Sequence, residues 1–351
     1  MAHPKTESSP GRAEKMLHLW ALLTFFSTFL LLFSGGIVTS KNVGMSVPDW
    51  PTTYGYNMFL FPISQWVGGI FYEHSHRLFA SGVGLLTFVL GIWIWVGDSR
   101  RWVKVLGVAA VVAVCLQGLI GGLRVTLYKD ELGIFHALLA QTFFCTTGIL
   151  AVVTSGRFRR GEWDVYHPDP KLRNMVLATT ALVFVQLGLG ATMRHEHAGL
   201  SIPDFPLAYG QWIPDTSPRA IEAINAVRVA DHEIPTNALY IWVQMVHRGV
   251  ALLILFGTIA IYQRCVVASR LRATKFWSAS WLGLVLAQIG LGAWTIWSNK
   301  AADVATLHMA IGALTLLVGA IFSFRLCWAA GARRFEIPEP RMPSAWASRI
   351  A

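Results

Sequence analysis

Residues 72–97 read YEHSHRLFASGVGLLTFVLGIWIWVG. From Leu78 to Gly97 no residue carries a charge. That is about the 20 residues a helix needs to cross the hydrocarbon of a bilayer. Just before this apolar run stand a carboxylate, two histidines and an arginine: Glu73, His74, His76 and Arg77. Seven further stretches share the length and apolar character, at 17–38, 103–124, 132–154, 174–193, 238–262, 276–298 and 303–328. The expected fold is therefore all-α: a polytopic membrane protein with eight transmembrane helices.

Composition supports this. The chain is 54% hydrophobic and 14% charged, with mean hydropathy +0.50, whereas a soluble domain carries about a quarter charged residues. The formal charge of +10 raises nucleic acid as a partner, but its distribution argues against that. With the N-terminus inside, the inside segments hold 20 of the 29 Lys and Arg, which is the positive-inside pattern. Both termini are then expected in the cytoplasm. The first sixteen residues contain Glu7 and Glu14 and resemble neither a signal peptide nor an acid-poor transit peptide, so a bacterial inner membrane is expected. Cys115, Cys145, Cys265 and Cys327 lie in or beside the apolar runs. They read as small packing residues, with no disulfide in an outer loop.

The chain also repeats itself. Gly44-Met-Ser-Val-Pro-Asp-Trp-Pro-Thr-Thr-Tyr-Gly55 matches Gly199-Leu-Ser-Ile-Pro-Asp-Phe-Pro-Leu-Ala-Tyr-Gly210 at seven of twelve positions. His76-Arg77 matches His247-Arg248, Gln117 and Gly121 match Gln288 and Gly292, and His136 matches His308 after a one-residue shift. Four helices per repeat is an even number, so both halves would enter the membrane the same way, as parallel repeats. The expected division is a tail (1–16), a first four-helix bundle (17–154), a cytoplasmic linker (155–173), a second bundle (174–328) and a tail (329–351). In the outer loops, two prolines flanking an aromatic residue forbid regular helix. A cap over the bundle and a lid over a ligand both remain open for these loops.

His76, His136, His247 and His308 sit near the outer starts of even-numbered helices. A single such histidine reads as a hydrogen-bonded core residue. Four at repeat-related positions read as two bis-imidazole pairs, which suit the two axial positions of a haem iron. A zinc or catalytic iron site would need three clustered ligands. Gly82, Gly84, Gly118, Gly121, Gly122, Gly290, Gly292 and Gly312 would let a flat macrocycle approach, though close helix packing explains them equally. Arg77 and Arg248 are candidates for haem propionates, with snorkelling to the interface as the alternative. His74 should point about 200° from His76 around the helix. His195, His197 and His232 read as solvated outer-loop residues, with a weak metal or gating role as the alternative, and His3, His18 and His167 as incidental.

The halves differ at one position. Glu73 precedes His76 by three residues and so shares its face, while its counterpart is Gln244. An isolated carboxylate there is costly, and intramembrane ionisable groups are functional by default. The alternative is a partner for Arg77 or His74 at the interface. The first half therefore reads as reactive and the second as a permanent cofactor site.

On Glu73-x-x-His76-Arg77, His136, His247-Arg248, His308 and the paired loops, the chain resembles the heme A synthase family over essentially all eight helices. The resemblance implies oxidation of a methyl group of heme O to a formyl group, giving heme A for terminal oxidases. It implies heme b on His247 and His308, substrate haem near His76 and His136, and an essential Glu73. Heme O would come from a heme O synthase, and the terminal oxidase would receive heme A. The electron acceptor is unidentified, and assembly as a homo-oligomer is left open. Some members carry a cysteine pair in the first outer loop; this chain has none there and looks like the cysteine-free branch. One rival reading is a bis-histidine diheme cytochrome exchanging electrons with quinone. Another is a transporter, which would more often place its polar groups at mid-membrane.

Overall fold

The computed structural model describes residues 11–162, 169–268 and 272–332. The expectations for 1–10, 163–168 and 333–351, including His3 and His167, fall outside the described residues. Eight helices are long and apolar enough to cross a membrane: α1 (Arg12–Ser40), α2 (Gly68–Gly97), α3 (Arg101–Thr126), α4 (Leu132–Thr154), α6 (Pro170–His195), α8 (Ala238–Ala268), α9 (Arg272–Trp297) and α10 (Ala302–Ala332). The protein is all-helical and multi-pass. No strand forms among the described residues; two isolated bridges, Thr53 with Tyr56 and Ala208 with Gln211, pin the outer loops.

Two shorter helices were not expected from the sequence. The linker opens with a single turn, α5 (Gly156–Arg159), and the second outer loop contains α7 (Pro218–Ala230). Both begin on a serine whose hydroxyl accepts from the third residue of the helix: Ser155 from Phe158 and Ser217 from Ala220. For α7 the signal was legible, since Ser217-Pro218 is an N-cap followed by proline at the first helical position.

Each helix of the first four packs on its chain neighbours, and α1 closes on α4. Likewise α6 packs on α8, α8 on α9, α9 on α10, and α10 returns to α6. The two groups meet where α1 touches α10 and where α4 touches both α6 and α10. α4 and α10 are therefore the central helices, with 56% of their apolar window buried against 17–28% elsewhere. Their seam holds Phe144, Ala313, Leu317 and Ile321, with Phe25 and Phe29 packed on them. Phe25 stacks on Phe144 with ring centroids 5.2 Å apart. The outward faces expose Phe26, Leu85, Val105, Leu253, Phe256 and Phe276. In water such a surface would drive aggregation, and in lipid it is the solvated face.

Candidate functional site

The repeated loops fold alike, and their motif residues explain why. Asp49 closes the first loop by accepting from the backbone N–H of Tyr54 (2.7 Å) and Gly55 (2.8 Å) and from the Thr52 hydroxyl (2.5 Å). Burial pushes its pKa up, but those three donors outweigh that and hold it below the usual carboxylate range. Asp204 accepts from Tyr209 (2.7 Å) and Gly210 (2.9 Å) in the same way. Tyr54 and Tyr209 turn back to donate to the carbonyls of Ser46 and Ser201. Gly55 and Gly210 adopt φ of +78° and +75°, where glycine has no steric penalty. The Trp50–Pro51 and Phe205–Pro206 peptides are both cis.

The helices below hold these loops by matching residues. Glu73 Oε2 accepts the Val47 N–H at 2.8 Å, and Gln244 Oε1 accepts the Ile202 N–H at 2.8 Å. Val47 and Ile202 occupy the same motif position. Gln244 also donates to the Ile202 carbonyl. Glu73, itself buried, instead forms an ion pair at 2.7 Å with the partly buried Arg77. Glu73 is thus not isolated: one oxygen meets a loop amide and the other a guanidinium.

Arg77 donates to the carbonyls of Val47 (2.7 Å) and Asp49 (2.6 Å), and Arg248 to those of Asp204 (2.7 Å) and Leu207 (2.8 Å). The terminal nitrogens of both arginines are therefore engaged by the loops, a role that the sequence reading did not assign. The Arg248 guanidinium also lies over the Phe205 ring, 5.4 Å from its centroid.

The four histidines lie in the first three turns of α2, α4, α8 and α10, each against a glycine of a neighbouring helix. A Cβ built on Gly35 of α1 would stand 3.0 Å from His76 Cε1, and one on Gly190 of α6 would stand 3.5 Å from His247 Cε1. On α3 and α9, Gly121 and Gly292 would place a Cβ 3.1 Å from His136 and 3.4 Å from His308. Glutamines fix three of the four backbones: Gln117 donates to the His136 carbonyl (2.9 Å), Gln186 to that of His247 (2.9 Å) and Gln288 to that of His308 (2.7 Å). His76 and His136 lie close enough to interact electrostatically, as do His247 and His308.

Of the remaining glycines, Gly122 faces the Trp50 ring and Gly312 faces Leu187, so these two serve packing. Gly82, Gly84, Gly118 and Gly290 border open space.

These residues fit a haem in each half. Nδ1 of His136, His247 and His308 is sealed from solvent and has no hydrogen-bond partner, while Nε2 is not among the sealed atoms. Buried imidazoles rarely lack a partner, and two neutral imidazoles per half form the donor set that iron in a porphyrin takes. His76 differs, because its Nδ1 lies 3.2 Å from the Ser34 hydroxyl. No cluster of three or more His, Cys, Asp or Glu able to hold a bare metal ion occurs among the described residues.

Other histidines fall outside the pairs. His74 is fully buried under the first loop, 3.1 Å from the Thr53 hydroxyl and against Phe61 and Trp66. His18 lies 3.3 Å from the Thr154 hydroxyl. His195 corrects an expectation. It is not solvated but closes α6, buried, with Nδ1 3.3 Å from Asp130 of the α3–α4 connection. Asp130 is already paired with Arg124 at 2.5 Å. His197 is half-exposed and His232 exposed. The sequence reading also passed over Ser34, Gln186 and Arg194. Ser34 and Gln186 are polar residues inside apolar runs, which is the one signal that could have found them, whereas Arg194 follows the run 174–193 beside His195 and Glu196 and gives no such signal.

The profile of the cytochrome oxidase assembly protein family matches residues 18–320. A heme A synthase of Halalkalibacterium halodurans is 30% identical over 212 residues, 57% of this chain and 66% of that protein. One from Lysinibacillus sphaericus is 29% identical over 70% of this chain and 73% of its own length. One from Geobacillus kaustophilus is 26% identical over 84% of this chain and 86% of its own length. With a matched span that takes in both histidine pairs and both loops, the chain belongs to the cytochrome oxidase assembly protein family.

Proposed function

We propose that this chain is a heme A synthase, an oxidoreductase that converts a methyl group of heme O to the formyl group of heme A. The observation that carries the reading is the exchange between two otherwise matching sites. Glu73 and Gln244 hold equivalent loop amides, yet only Glu73 brings a carboxylate, three residues from His76. A pure electron carrier has no use for that difference.

In this reading the substrate haem lies in the first half between His76 and His136. In the second half, His247 and His308 would hold a resident heme b, which would supply electron transfer. The overall change is balanced when the methyl group and one water give the formyl group, four protons and four electrons, in two two-electron steps. The electron acceptor lies outside the chain. Glu73 acts as the proton-accepting and cation-stabilising group. Arg77, 2.7 Å away, holds the carboxylate in place beside the first histidine pair. The Ser34 hydroxyl fixes the His76 ring, so that one nitrogen faces the substrate. Arg77 and Arg248 act as loop anchors, which makes the loops covers that exclude water. The two halves are parallel repeats, divided at 155–173. The protein resides in a bacterial inner membrane with both termini in the cytoplasm, takes heme O from a heme O synthase and supplies heme A to a terminal oxidase.

The test is haem extraction from cells whose only source of heme A is this chain. Wild type should yield heme A, and Glu73→Ala should accumulate heme O. Undiminished heme A in Glu73→Ala would remove the carboxylate from the mechanism. Heme b alone in the wild type, with heme O supplied, would leave an electron carrier instead.

A further inference from the structure

Arg194 and Lys300 stand at the end of the second bundle where α6 stops and α10 starts, and neither forms an ion pair with a carboxylate among the described residues. Arg194 lies on α6 one turn beyond Gly190, the residue against His247, and so on the same face. Its Nη2 donates to the Gly36 carbonyl and to the Ser40 hydroxyl. Ser40 in turn accepts from Thr306, two residues before His308. Nε and Nη1 of Arg194 have no partner among the described residues, and neither is sealed off. Lys300, in the α9–α10 connection six residues before Thr306, is half-buried at the same end of the bundle. Its ammonium likewise has no partner among the described residues. A withdrawn, uncompensated charge is costly, and two at one end of the bundle more so, unless an anion completes the site.

The first half is arranged differently. In the register that pairs Gly35 with Gly190, the position of Arg194 is taken by Thr39. The cations beside the first pair both have counter-ions: Arg77 has Glu73 at 2.7 Å and Arg124 has Asp130 at 2.5 Å.

We propose that Arg194 and Lys300 form the carboxylate-binding end of the second site, holding the propionates of the haem between His247 and His308. The proposal rests on the reading of a haem there. It gives the halves a physical reason to treat their haems differently. Two unpaired cations make the second haem hard to release, while the self-neutralised Arg124–Asp130 pair leaves the first free to exchange. Arginine suits the task because its planar fork matches a carboxylate with two donors.

The test uses the purified holoprotein and follows transfer of heme b to excess apomyoglobin, together with a redox titration. Lys300→Met removes a charge that has no part in the seam between the halves. Arg194→Gln keeps a donor for Gly36 and Ser40 but loses the charge, and Arg194→Lys restores charge without the fork. Each charge-removing variant should release heme b about tenfold faster or more, the double variant faster still, with the heme b potential lowered. Arg194→Lys should fall between Arg194→Gln and wild type. Wild-type release and potential in both Lys300→Met and Arg194→Gln would overturn the proposal. His308→Ala separates the two levels. If it retains the slowly released heme b, the haem is not in the second half and the underlying reading fails. If it loses that haem while the charge variants keep it, only the proposal fails.

Discussion

Glu73 Oε2 accepts the backbone N–H of Val47 at 2.8 Å, and Glu73 Oε1 faces Arg77 at 2.7 Å. One side chain therefore ties down the outer loop and places a negative charge near the first histidine pair. Glutamine at this position separates the two tasks, because Gln244 already makes the corresponding loop bond in the second half. Glu73→Gln should fold and keep the loop as in wild type while heme O accumulates. Glu73→Ala should fail in both respects, with the loop opened to protease. Proteolysis and haem extraction read the two effects apart, and full heme A formation by Glu73→Gln would show that the charge is not needed.

The reciprocal change asks whether a carboxylate is tolerated in the second half. Gln244 precedes Arg248 by four residues, the spacing at which Glu73 meets Arg77. Gln244→Glu should therefore gain an ion pair, fold, and keep heme b at wild-type stoichiometry by optical spectrum. Loss of heme b would mean that the second half excludes a carboxylate for reasons beyond loop support.

The glycines beneath the histidines leave unequal room. A Cβ at Gly35 would be 3.0 Å from His76, tighter than ordinary contact, whereas one at Gly190 would be 3.5 Å from His247. Gly35→Ala must shift the His76 ring by a few tenths of an ångström, and the Ser34 contact on that ring resists the shift, at a cost of about 1 kcal/mol or more, as for other overpacked sites. It should lower heme A yield several-fold. Gly190→Ala should leave the heme b spectrum and thermal midpoint unchanged. Equal effects from the two would show that the small residue, and not the contact with the ring, matters.

Acid should loosen the connection between Asp130 and α6. Burial raises the Asp130 pKa, but the Arg124 guanidinium and then His195 outweigh it and hold the carboxyl below its ordinary value. A pKa depressed by folding adds stability above the ordinary carboxylate range, and this is lost as pH falls through the lower, folded value. Thermal unfolding in detergent should lose stability below about pH 4. Asp130→Asn should be less stable at neutral pH and lose that share of the acid dependence. An acid limb identical to wild type in Asp130→Asn would place the sensitivity elsewhere.

Helices crossing a bilayer announce themselves through length and lack of charge, and so the limits of α4, Leu132–Thr154, could be read directly from the sequence. The pairing of Glu73 with Gln244 was legible because duplicated residues can be aligned without knowing their contacts. Contacts between halves left no such trace. His195 looked solvated because it follows an apolar run, and only the packing of α6 on α4 brings it to Asp130. Arg77 and Arg248 looked available to a ligand because sequence does not show loop carbonyls, which have no side-chain signature. α4 and α10 became central through tertiary packing, since nothing in their hydropathy differs from that of the outer helices.

The seam between the halves has a further consequence. A Cβ on Gly36 would collide with Met309 and one on Gly148 with Leu317, so helix backbone there lies directly against opposing side chains. Interiors packed this closely resist compression and sliding. A rigid joint of this kind acts as a spacer. In the proposed function, that joint would keep the first and second histidine pairs at a fixed separation. Bulk added at Gly36 or Gly148 would meet Met309 Cε or Leu317 Cδ1, the ends of flexible side chains, and would displace those side chains before the helix axes.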